Sequence, residues 1–280
     1  MRNRFLILLL AYSSSLFGEG TALDMQQPDH IKKYLQFVKE HPHLFEHLGA
    51  WDKNEIEIIL NPERIQKIEK QTTSRLQAKG CSEKEAKASS SVGIIAEDYY
   101  WIWIRDAVIF PSGVYGTYDR LMWKSGLEGT PAVGIFPILS NKKIIVNIIY
   151  RHATRSWEIE LPRGRKKSEE TAENAAIREL KEETCYLPTR CGILGTMAPD
   201  SGVLMSIIPI FYAEVKHSGR THKKYSKAIF DNPAFTKEEI KAGFSRGYIE
   251  IPIKGELTKV NCRDPYLTFA LLQAEMKGLF

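Results

Sequence analysis

The stretch ELPRGRKKSEETAENAAIRELKEETCY, residues 160–186, restricts the fold more than any other part of the chain. Thr171 is a good helix N-cap and Glu173 suits the positive first turn, so the spacing predicts a helix over about 172–184. Ala172, Ala176 and Leu180 recur at i, i+4, i+8 and form a narrow apolar stripe, small enough for close packing on a sheet. Glu179, Glu182 and Glu183 fall at i, i+3, i+4 and line another face. Like charges at that spacing cost about 0.2–0.5 kcal/mol per pair on an isolated helix, a cost that Arg178 and Lys181 offset in part. A solvated glutamate face is one reading of this pattern. The other is a divalent cation seated among the carboxylates, which reverses the sign of their interaction. Hard oxygen ligands without His or Cys favour magnesium, with manganese as the alternative, over zinc.

The surrounding sequence supplies a sheet for such a helix. From Val92 the texture turns to β: VGIIAEDYYWIWIRDAVIF is rich in β-branched and aromatic residues, with Tyr100, Ile102 and Ile104 alternating against Trp101, Trp103 and Arg105. AVGIFPIL and KIIVNIIY flank SNK, a hairpin turn; SWEIEL leads into the helix stretch, and VLMSIIPIFYAEV is a further strand. TKEEIKAGF and PYLTFALLQAEMKGL read as helices, the last with Leu267, Ala270, Leu271 and Ala274 on one face. Before Val92 the pattern is helical. HIKKYLQFVKE carries Ile31, Tyr34, Leu35 and Val38 at helical spacing, and Asn61-Pro62 opens a helix that aligns Ile65, Ile68 and Leu76. KGCSEKEAKASSS, residues 79–91, is small and polar and reads as a linker. Strands, a central helix and terminal helices predict an α/β (α+β) layered domain over 92–280, preceded by a helical region over 23–91.

The N-terminus pairs a basic start, MRNR, with the apolar run FLILLLAYSSSLF and small residues near Ala22. That layout fits a secretory signal peptide over 1–22, too short to be a stable membrane anchor. Export implies a periplasmic or secreted protein; a start at Met25 instead implies a cytoplasmic one. The formal charge of +5 suits an anionic small ligand and is too weak to argue for a nucleic acid. The cysteines, Cys81, Cys185, Cys191 and Cys262, contain no Cys-x-x-Cys pair, so a zinc site is not expected. Cys185 and Cys191 are the nearest pair, and both a bridge between them and four thiols remain open.

Gly164, five residues, Glu170, seven residues, then Arg178-Glu179-Leu180-Lys181-Glu182-Glu183 resembles the Nudix box, Gly-x5-Glu-x7-Arg-Glu-U-x-Glu-Glu-x-Gly-U with U bulky and aliphatic. The chain departs from it at Cys185, which replaces the glycine that ends the helix, and at Tyr186, which replaces the last aliphatic. The resemblance implies a Nudix-type α/β/α sandwich with a mixed sheet. It implies Glu179 and Glu183 as direct Mg2+ (or Mn2+) ligands, Glu182 as a further ligand or general base, and the Arg163 carbonyl as a completing ligand. Arg178 would orient the glutamates, while Gly164 and Glu170 shape the loop. Residues such as Asp231 or Glu239 are alternative bases. Weaker similarity over residues 30–280 points to the ADP-ribose pyrophosphatase type, which implies a nucleoside diphosphate linked to another moiety as substrate. Arg105 and Arg151 are then candidate substrate-binding residues, although Arg105 could equally be a structural ion-pair partner. The aromatic run YYWIWI fits core packing, a homodimer interface or an adenine platform. A nucleotide-binding module without turnover and an RNA-end hydrolase are the competing functions; all box glutamates are present, which favours an enzyme.

Overall fold

The computed structural model describes residues 28–218 and 228–280. The leader and the alternative start at Met25 lie outside the described residues. The chain divides into two compact units. The first holds described residues 28–96 together with Trp103–Asp119, and the second holds Glu97–Ile102 and Arg120–Phe280.

The first unit is built on three helices: α1 (Asp29–Glu40), α2 (Pro62–Ala78) and α3 (Glu83–Ser90). Helix α1 buries Ile31, Tyr34, Phe37 and Val38, and the Tyr34 hydroxyl donates to buried Asp106 at 2.6 Å. Helix α2 starts as its sequence predicts, with the Asn61 side chain accepting from Arg64 N at 3.0 Å and Pro62 at the first position. Residues 79–91, read as a linker, hold helix α3 instead. Ser82 and Glu85 form a reciprocal capping box there, which satisfies two helix-end donors and outweighs the run of small polar residues. Strands β1 (Glu57–Ile58), β2 (Gly93–Glu97), β3 (Trp101–Ile109) and β4 (Tyr115–Trp123) form a four-stranded sheet, of which β2, β3 and β4 contribute residues to both units.

The second unit has two mixed sheets. One contains β5 (Ala132–Leu139), β6 (Ile144–Ile145), β9 (Arg163–Arg165), β10 (Tyr186–Met197), β11 (Ile208–His217) and β13 (Ala234–Phe235), in the order β10-β11-β5-β6-β13, with β9 also on β5. The other runs β12-β7-β8-β15-β14, from β7 (Asn147–Arg151), β8 (Ser156–Glu160), β12 (Ile229–Asp231), β14 (Tyr248–Ile253) and β15 (Glu256–Asn261). Pairing is parallel between β11 and β5 and between β15 and β8, and antiparallel elsewhere in these sheets. KIIVNIIY, which reads as one strand, is divided at Val146 between the two sheets. The SNK hairpin forms as expected, with Lys142 taking the left-handed position.

Alternation along β5 and β11 sets the layers. Val133, Ile135, Phe211, Ala213 and Val215 face helix α4 (Ala172–Thr184), meeting Ala175, Ala176 and Leu180. Phe136, Ile138, Ile210 and Tyr212 face the opposite way, into a core shared with β7, β8, α5 (Lys237–Arg246) and α6 (Pro265–Met276). Helix, sheet, helix: the α/β/α sandwich follows from a period of two on the strands and small residues on α4. Full burial of Leu180 is worth roughly 1.5–3 kcal/mol. No helix among the described residues is long and apolar enough to cross a membrane.

Helix α4 ends on Cys185, at φ 58° and ψ 16°, the left-handed conformation that glycine takes without strain. The Thr184 hydroxyl closes the turn, donating to Leu180 O at 2.6 Å and accepting from Tyr186 N at 3.2 Å. All four cysteines are thiols, so the Cys185–Cys191 bridge is absent. Burial raises the Cys191 thiol to about 11. A left-handed L residue costs about 1–2 kcal/mol, against about 0.5–1 kcal/mol of extra chain entropy for glycine. Cys185→Gly is therefore expected to raise the unfolding free energy by up to about 1 kcal/mol in urea titration. A stability loss would show that contacts of the Cys185 side chain outweigh its backbone strain.

Candidate active site

The acidic face of α4 meets the loop that enters it, and one side chain joins the two. Arg178 donates from Nε and Nη2 to the Glu170 carboxylate at 3.1 and 2.7 Å, and from Nη2 to Arg165 O at 2.9 Å. Its Nη1 reaches Glu179 at 2.6 Å and Glu182 at 3.3 Å. Glu170 also accepts from Lys167 N at 2.8 Å, so the first box glutamate closes the loop onto the helix. The Arg178 bonds hold the Glu170 carboxyl at about 2 and push the Arg178 guanidinium well above its ordinary value. Gly164 lies directly over the Glu179 carboxylate. A Cβ at that position would collide with it, which is the physical reason for glycine there.

Glu179 and Glu183 face the other way energetically. Burial raises the Glu179 carboxyl, Arg178 opposes the rise, and Glu182 and Glu170 add to it. Burial also raises Glu183, to about 7, with Glu179 contributing, while bonds from Asn147 and the Arg163 amide oppose it. Glu183 Oε2 accepts from Asn147 Nδ2 at 2.8 Å and Arg163 N at 3.1 Å. Two half-buried, mutually repelling carboxylates are a donor set that suits a hard divalent cation. Among the described residues no three His, Cys, Asp or Glu side chains converge as a coordination group. Glu182, turned toward Arg178, would have to leave it to complete one.

Residues not expected from sequence buttress this site. The Asp264 carboxylate caps α6 through Leu267 N at 3.2 Å, accepts from Leu161 N at 3.2 Å, and pairs with Arg163 Nη1 at 2.7 Å. Arg163 also reaches Glu160 at 2.9 Å and lies over the Tyr266 ring at 4.1 Å. Burial works against the Arg163 cation, but Asp264 and Glu160 keep it charged. Arg263 pairs with buried Glu158 at 2.7 Å. Long-range contacts reveal the Asp264 and Arg263 partners; the Asp-Pro that opens α6 and the Glu160/Arg163 spacing are the local signals.

The sequence-derived candidates separate. Gly164, Glu170, Arg178, Glu179, Glu182, Glu183 and Arg163 are brought together. Arg151, at the end of β7, is half-exposed and donates from Nε to Glu160 at 2.8 and 3.0 Å. Arg105 belongs to the first unit, buried, with Nε on Asp119 at 2.8 Å and Nη1 on Ala88 O at 2.8 Å, the ion-pair role its sequence also allowed. Asp231 accepts from Asn232 N at 2.8 Å, and Glu239 serves the capping box of α5 with Thr236. Both alternative bases thus have structural uses, whereas Glu182 is exposed on the acidic face.

Parts of the chain are similar to known proteins. The family model for the NUDIX domain matches residues 129–239. An uncharacterized Nudix hydrolase of Schizosaccharomyces pombe (strain 972 / ATCC 24843) is 30% identical over 95 residues, 34% of this chain and 46% of the relative, so the match spans about half of that protein's length. A solved structure described as an ADP compounds hydrolase aligns with a TM-score of 0.49 at 18% identity, covering 68% of this chain and 95% of that one. The box side chains gathered on α4 lie within the segment, residues 129–239, that matches the NUDIX domain.

Proposed function

We propose that this protein is a divalent-metal-dependent pyrophosphohydrolase that cleaves the diphosphate of a nucleoside diphosphate linked to a further moiety, ADP-ribose or a nucleotide sugar first. The observation that carries the reading is the convergence of Glu170, Arg178, Glu179 and Glu183 on the Gly164 loop, with the Glu179 and Glu183 carboxyls both raised by burial and only Glu179 paired with a cation. The NUDIX domain match over residues 129–239 supports the class of reaction and a divalent metal; magnesium is the favoured ion.

Hydrolysis places water on phosphorus, forms one P–O bond and breaks the bridging one, so ADP-ribose yields AMP and a ribose phosphate. Glu179 and Glu183, with the Arg163 carbonyl, would hold the cation. When bound, that cation supplies charge neutralisation at the diphosphate and polarises the attacking water. Arg178 fixes the Glu179 carboxylate and, through Glu170, the loop above it, so the ligands are set before substrate arrives. Glu182, exposed on the same face, takes the water's proton. Arg151 offers a half-exposed guanidinium, already oriented by Glu160, to an anionic substrate group.

Purified protein with magnesium is expected to release AMP from ADP-ribose, and Glu183→Gln to lower kcat/KM by about a hundredfold or more. Magnesium binding without turnover of any member of a nucleotide panel would refute the enzyme and leave the binding-module reading. Gly164→Ala should displace the Glu179 carboxylate and cost about tenfold or more in activity, read in the same assay.

Protonation gives an independent check on the cation-free protein. Glu183 binds its proton more tightly folded, at about 7, than its ordinary 4.5 unfolded. Its contribution is fully present below the unfolded value and is lost as pH rises through the folded one. In chelator, the melting temperature of wild type relative to Glu183→Gln should fall between about pH 5 and pH 8, by the equivalent of roughly 3 kcal/mol. A difference that stays constant across this range would show that Glu183 is not held in the buried state described.

A further inference from the structure

Where KIIVNIIY leaves one sheet for the other, the next residue is Asn147, only 3% exposed. The facing chain makes the same transfer between β12 and β13, and Val146 N donates to Pro233 O at 3.1 Å across the two crossings. Asn232 immediately precedes that proline. Its Nδ2 donates to Asn147 Oδ1 at 2.7 Å, while Asn147 Nδ2 donates to Glu183 Oε2 at 2.8 Å. The same Glu183 oxygen accepts from Arg163 N at 3.1 Å.

The direction of this chain of bonds is dictated. A backbone N–H can only donate, and the ionised carboxylate that would hold a cation can only accept, so in that state Asn147 must turn its NH2 to Glu183 and its carbonyl to Asn232. Asn232 must in turn present its own NH2. Asp231 steadies that end, accepting from Asn232 N at 2.8 Å. Neither amide bond engages Glu183 Oε1, so one oxygen is pinned and the other is left for a ligand.

We propose that Asn147 and Asn232 are positioning residues, a two-amide relay that holds Glu183 in its cation-binding orientation and ties it to the 229–235 segment. The inference deepens the hydrolase reading above and rests on Glu183 as a cation ligand. Residues that orient a ligand through one further hydrogen bond commonly change metal affinity by about 10–100-fold.

The test is titration calorimetry of the full chain with Mn2+ alone, without nucleotide, beside steady-state kinetics. Asn232→Leu keeps the volume and removes the donor. It should weaken Mn2+ binding about tenfold, lower kcat by a similar factor and leave the nucleotide KM within about twofold. The metal-free melting temperature should stay within about 2 °C of wild type, a combination that a purely structural role would not produce. Asn147→Leu should lose at least as much, and the double variant no more than Asn147→Leu alone, because Asn232 acts only through Asn147. Wild-type Mn2+ affinity in Asn232→Leu, additive losses in the double variant, or an affinity loss matched by a fall in metal-free melting temperature would each overturn the relay. Wild-type protein that binds Mn2+ but hydrolyses no nucleotide refutes the hydrolase reading alone, and the same titrations still decide on the relay. A wild type that binds no Mn2+ overturns both.

Discussion

The second unit depends on the guanidinium of Arg178. Its donors are divided among Glu170, Glu179, Glu182 and the Arg165 carbonyl, so a single cation ties the entry loop to the acidic helix face. A lysine could not substitute, because a point charge with three donors lacks the planar fork that holds Glu170 through two parallel bonds. Without that tie, three glutamates within five residues of helix would repel one another and the loop after Gly164 would be held to the helix less firmly. With it, Glu170 accepts two Arg178 bonds and the Lys167 amide, whereas Glu179 accepts one Arg178 bond against the burial that raises its carboxyl.

A second charged cluster sets the floor beneath this loop. Arg163 stands between Asp264 and Glu160, and Arg151 shares Glu160, so two buried acids and two arginines balance one another. Removing one partner of such a group leaves an uncompensated buried charge and is far more costly than the net worth of the pair. Asp264 gains further hold by capping α6 and accepting from Leu161 N, which couples the C-terminal helix to the strand just before the loop. The last helix of the chain is therefore part of the architecture of the site, although none of its own residues lies in the Nudix box.

What could be read from sequence was what local spacing determines. The bounds of α4, the buried face of α6, the caps at Asn61 and Thr171 and the SNK turn all express periods of three to four residues or the preferences of single positions. The box residues were legible because their spacing is tied to one loop and one helix. The transfer at Val146 was not, since an unbroken apolar run carries no mark of a change of sheet. Strand β10 was also missed: Pro188, Gly192 and Gly195 weaken its pattern, and its pairing tolerates them through irregular register. Cys185 shows the converse case. The box requires a left-handed residue there, and the chain adopts that backbone without glycine.

Asn147, Glu160 and Asp264 escaped for a different reason. Their partners lie 36, 9 and 101 residues away in Glu183, Arg151 and Arg163, so no window of sequence holds both members of the longer pairs. Their chemistry nevertheless explains where the site is unbalanced. Every acid of the floor meets an arginine, but among the described residues no cationic side chain comes within ion-pair distance of Glu183. It is held by a neutral amide and a backbone N–H, which orient a carboxylate without neutralising it. Glu183 is thus oriented without a cationic partner at ion-pair distance among the described residues, the arrangement that the proposed cation site needs.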